Sequence, residues 1–303
     1  MPAHPLIAAF RRELPLTLRC ADWTAEKSAY HVVAFARRQS APLPDCLTRE
    51  AVIEHVSWLA STPPRHRDGE RRAASTVNEH LKGLKRFTRW AVGRGLMPSN
   101  PIADLKGLRN VRTVRLAPEP EVVRAILDAA KEHGPTAELQ ARNHALLAML
   151  ADIGMRASEA LGIDVADLDF EREQLTLRKA KGSKERVVAL NPDVIAALNE
   201  YLPLRRAAPD ERALFVTVRG NRMRYPALRN MLLDIRKRLN INVTLHDHRR
   251  FVLSGMYGKG MGELALQGIS GHENLADLRP YIVAAMAKRA VREHREYSML
   301  AGL

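Results

Sequence analysis

Residues 246–281 read HDHRRFVLSGMYGKGMGELALQGISGHENLADLRPY and hold several side chains that can bind phosphate or act as a nucleophile. Arg249 and His272 are 23 positions apart, and Tyr281 follows nine positions after His272. Taken singly, His246, Arg249 and His272 fit surface or hydrogen-bonded core positions, and Tyr281 fits an amphipathic packing position. Their meaning depends on what the rest of the chain places beside them.

The segment GMRASEALG, residues 154–162, precedes this stretch and predicts a short helix after Gly154. Arg156 and Glu159 lie one helical turn apart in it. Apolar residues recur with helical spacing through most of the surrounding sequence, which predicts a mainly helical domain. The other helices predicted in this part of the chain are 119–131, 141–152, 193–202, 226–239 and a helical region from 248 to the end.

Between these helices the period changes from helical to alternating. Residues 174–178 and 186–190 are predicted to be short strands that flank a lysine-rich turn, KAKGSK, at 179–184. Two strands joined in this way form a hairpin, because a short turn brings antiparallel neighbours together. The predicted fold is therefore mostly α-helical with a small antiparallel β-sheet in the second part of the chain.

The first third of the chain is also predicted to be helical, at 28–38, at 49–61 behind Thr48 as a cap, and at about 75–92 behind Ser75 and Thr76. One face of the third helix is apolar, and another gathers four basic residues. This basic face is either a contact for DNA phosphates or a solvated surface. Its residues are Lys82, Lys85, Arg86 and Arg89.

A chain of 303 residues is long enough for two domains. The stretch 109–120 contains Pro118 and Pro120 and reads as a linker. We therefore predict a first domain at 1–112 and a second at 113–303.

The net charge indicates the class of binding partner. The chain has 48 Lys and Arg against 34 Asp and Glu, a formal net charge of +14, which favours a polyanion such as nucleic acid.

The sequence lacks both a long apolar run and a signal peptide, so we expect no membrane association and a cytoplasmic protein. The two cysteines, Cys20 and Cys46, form neither a disulfide framework nor a metal-binding pair.

Five parts of the sequence resemble, in order and separation, the signature of the tyrosine recombinase and phage integrase family. They are GMRASEALG, KGSKER (181–186), the pair His246 and Arg249, the triplet SGH ending at His272, and Tyr281. The first part of the chain is similar to the helical core-binding domain of that family. The resemblance implies six catalytic residues and one supporting acid. The catalytic residues are Arg156, Lys181, His246, Arg249, His272 and Tyr281, and the supporting acid is Glu159.

The chemistry of DNA cleavage suits these residue types. Arginine binds the non-bridging phosphate oxygens bidentately, which fits Arg156 and Arg249. A phenol is easier to ionise than a serine hydroxyl, which fits Tyr281 as the nucleophile. Lys181 fits the proton donor to the leaving 5′-oxygen, with Lys184 and Lys179 as less favoured alternatives.

The histidines have ring nitrogens that can bind phosphate or take up the tyrosine proton. The resemblance implies that His246 is the general base and that His272 is a phosphate ligand. It also implies that Glu159 orients the site, although Glu159 equally suits an ordinary helix-surface carboxylate. A metal site at 246–248 is the minor alternative, because His and Asp at this spacing can ligate zinc. We expect no metal and no other cofactor.

The resemblance further implies a two-domain, C-shaped clamp around double-stranded DNA and a homo-tetramer on synapsed recombination sites. The implied reaction is strand exchange through a 3′-phosphotyrosyl bond, most simply for integration, excision or transposition of a mobile element. Alternatives are Xer-type resolution of multimers, type IB topoisomerase-like relaxation and an inactive DNA-binding regulator. The chain is expected to lack the N-terminal arm-binding domain of some integrases. It also departs from the usual Leu-Gly-His by having Ser270.

Overall fold

Apolar residues at helical spacing in the first third of the chain pack together into the core of a group of helices. The computed structural model describes residues 4–17, 20–64, 71–109, 115–178, 185–297 and 299, and these form two compact units, Met1–Arg112 and Thr113–Leu303. The helices of the first unit are α1 (Pro5–Thr17), α2 (Asp22–Ala36), α3 (Arg49–Ser61) and α4 (Ala74–Gly93).

Aromatic side chains fill the centre of the first unit. The Phe10 ring lies 5.1 Å from that of Phe87 and 5.5 Å from that of Trp90, measured between centroids, in edge-to-face contacts that aromatic rings favour. Phe10 belongs to α1, which the sequence did not predict. A proline, Pro15, lies inside this helix, and such residues usually argue against one.

Local capping explains one helix boundary of this unit and not another. The Thr48 hydroxyl accepts a hydrogen bond from the Ala51 backbone N–H at 3.1 Å, so α3 begins where the sequence predicts. The cap predicted for α4 was wrong. That helix begins at Ala74 behind Ala73, whose side chain makes no capping bond, and Ser75 lies inside the first turn.

The second unit is a helical domain with a small antiparallel sheet. The helices are α5 (Pro120–Lys131), α6 (Ala137–Ile153), α7 (Ala157–Ala160), α8 (Pro192–Tyr201), α9 (Tyr225–Leu239), α10 (Leu245–Gly258), α11 (Glu263–Ser270) and α12 (Arg279–Glu296), and the strands are β1 (Leu168–Asp169), β2 (Gln174–Leu177) and β3 (Arg186–Ala189). The three strands lie in the order β1-β2-β3. Leu175 on β2 pairs with Leu168 on one side and with Val188 on the other.

The predicted fold class, mostly helical with a small antiparallel sheet, is confirmed. The strand β1 was missed, because two residues are too few to show alternation. The helix α6 begins four residues before the predicted start, behind Thr136, whose hydroxyl accepts from the Leu139 N–H at 3.4 Å. Nearly every side of α6 is buried, so it forms the centre of this unit's core. Within the described residues, none of the helices has the length and apolar character needed to cross a membrane.

Candidate active site

Two left-handed glycines bring helix ends together beside α10. Gly154 ends α6 with a φ of 68°, and a Cβ there would lie 2.9 Å from the Val252 side chain. Gly271 ends α11 with a φ of 65°, and a Cβ there would lie 2.7 Å from Nη1 of Arg186. Both positions therefore need glycine for backbone conformation and for space. The carbonyl groups at these two helix ends point into the site.

Arg249, on α10, is buried at this junction. Its Nη1 donates to the Gly154 carbonyl at 2.9 Å and its Nη2 donates to the Ser270 carbonyl at 2.8 Å. Both acceptors lie at helix C-termini, which carry partial negative charge and favour a cation. Burial and then the neighbouring Arg156 charge lower the pKa of Arg249 from its ordinary value, yet a guanidinium stays protonated near neutral pH. The fork of Arg249 is held in one orientation.

Glu159 connects two arginines. Its Oε2 accepts from the Arg156 backbone N–H at 2.8 Å, and its Oε1 accepts from Nη1 of Arg156 at 3.1 Å. Arg186 donates to the same carboxylate from Nη1 at 3.1 Å and from Nη2 at 2.9 Å. Burial by itself would raise the pKa of Glu159, but the hydrogen bonds and charges of Arg186 and Arg156 bring the net shift of the pKa downward. The carboxylate is ionised and lies away from the solvated face of α7, with a side chain only 9% exposed.

Arg156 is the most exposed of the three side chains Arg156, Glu159 and Arg186. Its side chain is 40% exposed, and Nη1 also donates weakly to the Gly271 carbonyl at 3.4 Å. Glu159 fixes one side of the guanidinium, so the rest of it can meet an incoming anion.

Sequence reasoning missed Arg186, the first residue of β3. Its side chain is 9% exposed, and its Nε donates to the Ile269 carbonyl at 2.7 Å. Arg186 therefore joins the hairpin to α11 and to Glu159. The signal was present in the sequence, because Arg186 lies two positions from the buried Val188 on the same face of the strand. A charge on the inward face of a strand requires a buried partner.

Tyr281 lies in the first turn of α12 and is 4% exposed. Its ring packs in a small apolar cluster with Leu253, Leu266 and Leu278. Its hydroxyl lies 3.5 Å from Nε2 of His246, and it also interacts with the Arg249 guanidinium, which partly offsets the lowering of the Arg249 pKa. The packing fixes the ring and directs the hydroxyl toward an imidazole.

His246 is exposed along part of its surface. Burial of the remainder, followed by the positive charges of Arg250 and Arg249, lowers its pKa below the ordinary value. The imidazole is therefore neutral at pH 7, and Nε2 can accept a proton from the Tyr281 hydroxyl.

His272 lies between Arg249 and Tyr281. Its Nε2 is 3.2 Å from Nη2 of Arg249, its Nδ1 is 2.8 Å from the Ser270 hydroxyl, and its ring centroid is 5.7 Å from that of Tyr281. Burial, then the charges of Arg249 and Arg156, lower the pKa of His272 to about 4. The structure thus brings Arg156, Arg249, His246, His272 and Tyr281 together.

The neighbouring Asp247 caps α10. Its Oδ2 accepts from the Thr244 N–H at 2.8 Å and from the Thr244 hydroxyl at 2.7 Å, and Asp247 also forms ion pairs with Arg115 and Arg250. His248 is fully buried in α10, and burial lowers its pKa to about 4. In the part of the chain that the structure describes, no group of three or more His, Cys, Asp or Glu side chains is arranged to hold a metal. Of the residues at 246–248, Asp247 caps the helix, His248 is packed in the core, and His246 faces Tyr281.

The three lysines of the predicted turn, Lys179, Lys181 and Lys184, lie outside the described residues. The strands on either side of the turn are described, and β3 begins with Arg186. The role of Lys181 stays a prediction from the sequence.

The basic residues of α4 are only partly free for a ligand. Lys82 pairs with Glu79 at 2.9 Å, Lys85 donates to the Ala103 carbonyl at 2.9 Å, and Arg86 donates to the Ser28 hydroxyl at 3.2 Å. Arg89 is exposed. Intramolecular bonds thus orient three of the four side chains before any ligand binds.

Comparison with known proteins agrees with this geometry. The profile of the phage integrase family matches residues 118–288. The chain is 30% identical over 201 residues to tyrosine recombinase XerC of Shewanella amazonensis, covering 65% of this chain and 66% of that protein. It is 27% identical to tyrosine recombinase XerD of Bifidobacterium longum, covering 78% of each. The structure of the Tn1549 transposon integrase in complex with transposon right end DNA superposes with a TM-score of 0.72 at 19% identity, covering 97% of this chain and 99% of that one, which shows a shared fold.

Proposed function

The chain belongs to the phage integrase family of tyrosine recombinases, as its sequence motifs predict, and we propose that it is a site-specific recombinase that cleaves and rejoins duplex DNA through a 3′-phosphotyrosyl bond. One observation carries the proposal. The Tyr281 hydroxyl lies 3.5 Å from a neutral His246, beside a pair of arginines whose orientation is fixed by carbonyl groups and by Glu159. A nucleophile, a base and two phosphate-binding groups therefore share one site.

In the proposed reaction, the Tyr281 oxygen attacks a backbone phosphorus while Nε2 of His246 takes up the phenolic proton. A new P–O bond to Tyr281 forms, and the bond from phosphorus to the 5′-oxygen breaks. Lys181 donates a proton to that leaving oxygen, which becomes a free 5′-hydroxyl. Attack by the 5′-hydroxyl of another strand reverses the step and releases Tyr281.

Arg156 and Arg249 bind the non-bridging oxygens, on which negative charge builds in the transition state. Groups that are oriented in advance stabilise this charge without reorganising, which is the largest contribution in many such sites. His272 supplies a further contact to the phosphate. Each step exchanges one phosphoester for another, so the proposed reaction needs no nucleotide. The two guanidinium groups supply the positive charge that a metal ion provides in other phosphoryl-transfer sites.

We assign DNA binding to both units. The first, residues 1–112, corresponds to the core-binding domain, and its basic helix α4 would contact phosphates through Lys82, Lys85, Arg86 and Arg89. The second, residues 113–303, holds the site. We propose that both units contact the same duplex, in the cytoplasm.

Strand exchange between two duplexes requires four protomers, so we propose a homo-tetramer on synapsed sites. The outer face of α12 supports this assembly, because Val283, Met286 and Val291 are 38%, 57% and 58% exposed there. Apolar side chains grouped on one exposed helix face favour contact with another protein surface.

Covalent capture tests the function. Purified protein is incubated with sheared DNA of its source organism, adducts are trapped under denaturing conditions, and the attached DNA is sequenced. A site-specific recombinase yields one recurring motif, and a plasmid carrying two copies of that motif is then deleted or inverted. Unrelated trapped sequences with plasmid relaxation alone would indicate a type IB topoisomerase-like enzyme. Without adducts, the chain is a DNA-binding regulator. Flanking mobile-element ends around the recovered motif would distinguish integration or transposition from Xer-type resolution.

A further inference from the structure

Asp247 follows His246 at the start of α10 and carries a buried carboxylate, with a side chain that is 6% exposed. Its Oδ2 accepts from the Thr244 N–H at 2.8 Å and from the Thr244 hydroxyl at 2.7 Å. The same carboxylate pairs with Arg250 and, at 3.3 Å, with Arg115. Helix capping explains the two bonds with Thr244, but it requires neither arginine.

The Asp247 carboxylate is ionised near neutral pH. Burial by itself would raise its pKa, but the bonds from Thr244 and the charges of Arg115 and Arg250 bring the net shift of the pKa downward. A full negative charge therefore lies one residue from His246, the proposed base.

Arg250 and Arg115 lie where their charges act on His246. Arg250 follows His246 by four positions, so the two side chains share one face of α10. The Arg250 side chain is 10% exposed, so water screens its charge poorly, whereas Arg115 is 56% exposed. Burial is the largest cause of the lowered pKa of His246, and the charges of both arginines lower it further. Asp247 acts in the opposite direction.

Tyr281 and Arg249 also act on the surroundings of His246. The Tyr281 hydroxyl of α12 lies 3.5 Å from Nε2 of His246 and is the proposed proton donor. The Arg249 charge lowers the pKa of His246, after burial and Arg250. A phosphate bound in the proposed site would offset the charge of Arg249. Arg250 instead has its counter-charge within the protein, in Asp247.

Proton uptake adds a positive charge at this point. When Nε2 of His246 takes up the Tyr281 proton, the ring becomes an imidazolium among arginines, and like charges disfavour it. A carboxylate that pairs with Arg250 and Arg115 offsets part of this cost. We propose that Asp247 is a positioning residue that holds these two arginines and offsets their charge, so that His246 remains able to accept the Tyr281 proton. The catalytic part of this inference rests on the proposed function.

The first measurement follows the ring of His246 in the free protein by proton NMR across pH, with its signals identified by their loss in His246→Gln. Asp247→Asn keeps an oxygen that can cap Thr244 but removes the charge, so we expect His246 to become protonated at a lower pH than in the wild type. Arg115→Gln removes a positive charge at a half-exposed position, so we expect protonation at a higher pH. The double variant should lie between the two.

The directions of these shifts distinguish charge from structure. Loosening of the helix start would expose His246 and move its midpoint upward, toward that of a free histidine, in both variants. The proposal instead requires a downward shift in Asp247→Asn. An unmoved midpoint in either variant, or an upward shift in Asp247→Asn, would overturn it. Should Asp247→Asn fail to fold, Arg115→Gln still decides, because an unmoved or lower midpoint there contradicts the proposal.

Asp167→Asn and Arg178→Gln are the matched controls. Asp167 caps the 3₁₀ helix at 165–167 by accepting from the Asp164 N–H at 2.9 Å, and it pairs with Arg178 at 2.8 Å. The two side chains are 3% and 59% exposed, close to the values of the tested pair. We expect His246 to titrate as in the wild type in both controls.

Adduct formation on a nicked DNA substrate supplies the second measurement, with each variant's rate compared across pH with its own plateau. On the acidic side of the profile this relative rate should rise about twofold or more in Asp247→Asn and fall by a similar factor in Arg115→Gln, because the neutral imidazole extends to lower pH in the first and ends at higher pH in the second. The plateau of Asp247→Asn should fall, because a less basic imidazole accepts a proton less readily.

The two measurements fail separately. An absent adduct in the wild type would contradict the proposed function, whereas the titration in the free protein would still decide whether Asp247 offsets the charges beside His246.

Discussion

Arg186 donates to both carboxylate oxygens of Glu159, at 3.1 and 2.9 Å, and each side chain is only 9% exposed. This pair connects the strand that follows the lysine turn to the loop that carries Arg156. The two residues are far apart in the sequence, yet the same carboxylate holds the Arg156 backbone and side chain. The orientation of Arg156, which we propose to bind phosphate, thus depends on Arg186, a residue outside the proposed reacting set.

Arg186→Ala should therefore damage both stability and cleavage. It leaves the Glu159 carboxylate buried with one fewer partner, and removal of one member of a buried ion pair costs about 3–5 kcal/mol. Urea unfolding followed by circular dichroism measures the loss. Arg172→Ala is the matched control, because that arginine pairs with Asp169 but is 77% exposed, and an exposed pair contributes little. Equal loss in the two variants would show that the Arg186 pair has no special role.

Arg156→Ala and Arg249→Ala should each slow adduct formation by a factor of about 10² to 10³, the usual effect of deleting one preorganised group that stabilises a transition state. Their stabilities should differ. Arg249 is buried and satisfies two helix-end carbonyls, whereas Arg156 is 40% exposed. The midpoint temperature of thermal unfolding should therefore fall clearly for Arg249→Ala and little for Arg156→Ala. Equal changes in thermal unfolding would contradict the placement of the two guanidinium groups.

The rate of cleavage by the wild type should fall at acidic pH. This acidic limb of the pH–rate profile should lie below pH 6.5. Burial and the charges of Arg250 and Arg249 lower the pKa of His246, so the neutral, proton-accepting form persists to a lower pH than in a free histidine. Single-turnover adduct formation across pH measures the limb. His246→Gln, which cannot take up the proton, should be slower by about 10² or more and should lose the limb. Persistence of the limb in this variant would assign it to another group.

The first unit should lose stability in mild acid because of a histidine cluster, defined as His31, His55 and His80. Burial, before any neighbouring charge, lowers the pKa of each to about 4. Between pH 6.5 and 4 the unfolded chain therefore binds more protons than the folded unit, so stability is complete above pH 6.5 and falls toward pH 4. Each histidine contributes a slope of about 1.4 kcal/mol per pH unit in this window.

Tryptophan fluorescence isolates this effect in the full chain, because Trp23, Trp58 and Trp90 all belong to the first unit. His55→Leu removes one titrating ring that has no hydrogen-bond partner among the described residues. It should reduce the pH slope of unfolding free energy by about one third. His4→Gln, at an exposed position, should leave the slope unchanged. A slope that is independent of His55 would contradict burial as the cause.

Features that depend on neighbours in the sequence could be predicted, and features that depend on distant contacts could not. Thr48 caps its helix through a residue three positions away, and the hairpin strands alternate locally, so both were visible. The pairing of Arg186 with Glu159 joins residues from separate elements, which no local pattern encodes. The histidine cluster likewise arises where α2, α3 and α4 meet, with 4.0 Å between the ring centroids of His31 and His80.

The candidate site shows the same division. The spacing of Arg249, His272 and Tyr281 was readable because all three lie in one stretch of 36 residues. The contact between the Arg249 guanidinium and the His272 ring was not, because it depends on how α10 packs against the end of α11. Sequence spacing thus predicted side chains that the structure brings together, while the structure was needed to find what orients them.

The nucleophile is the central claim, and Tyr281→Phe tests it most directly, because phenylalanine keeps the ring in its apolar cluster and deletes only the oxygen that faces His246. The measurement is covalent protein–DNA adduct on a nicked suicide substrate, followed by peptide mapping of the wild-type adduct. Tyr281→Phe should fold and bind DNA but form no adduct, whereas Tyr257→Phe and Tyr297→Phe should form it as the wild type does. An adduct formed by Tyr281→Phe, or a wild-type adduct that maps to Tyr297, would contradict the account.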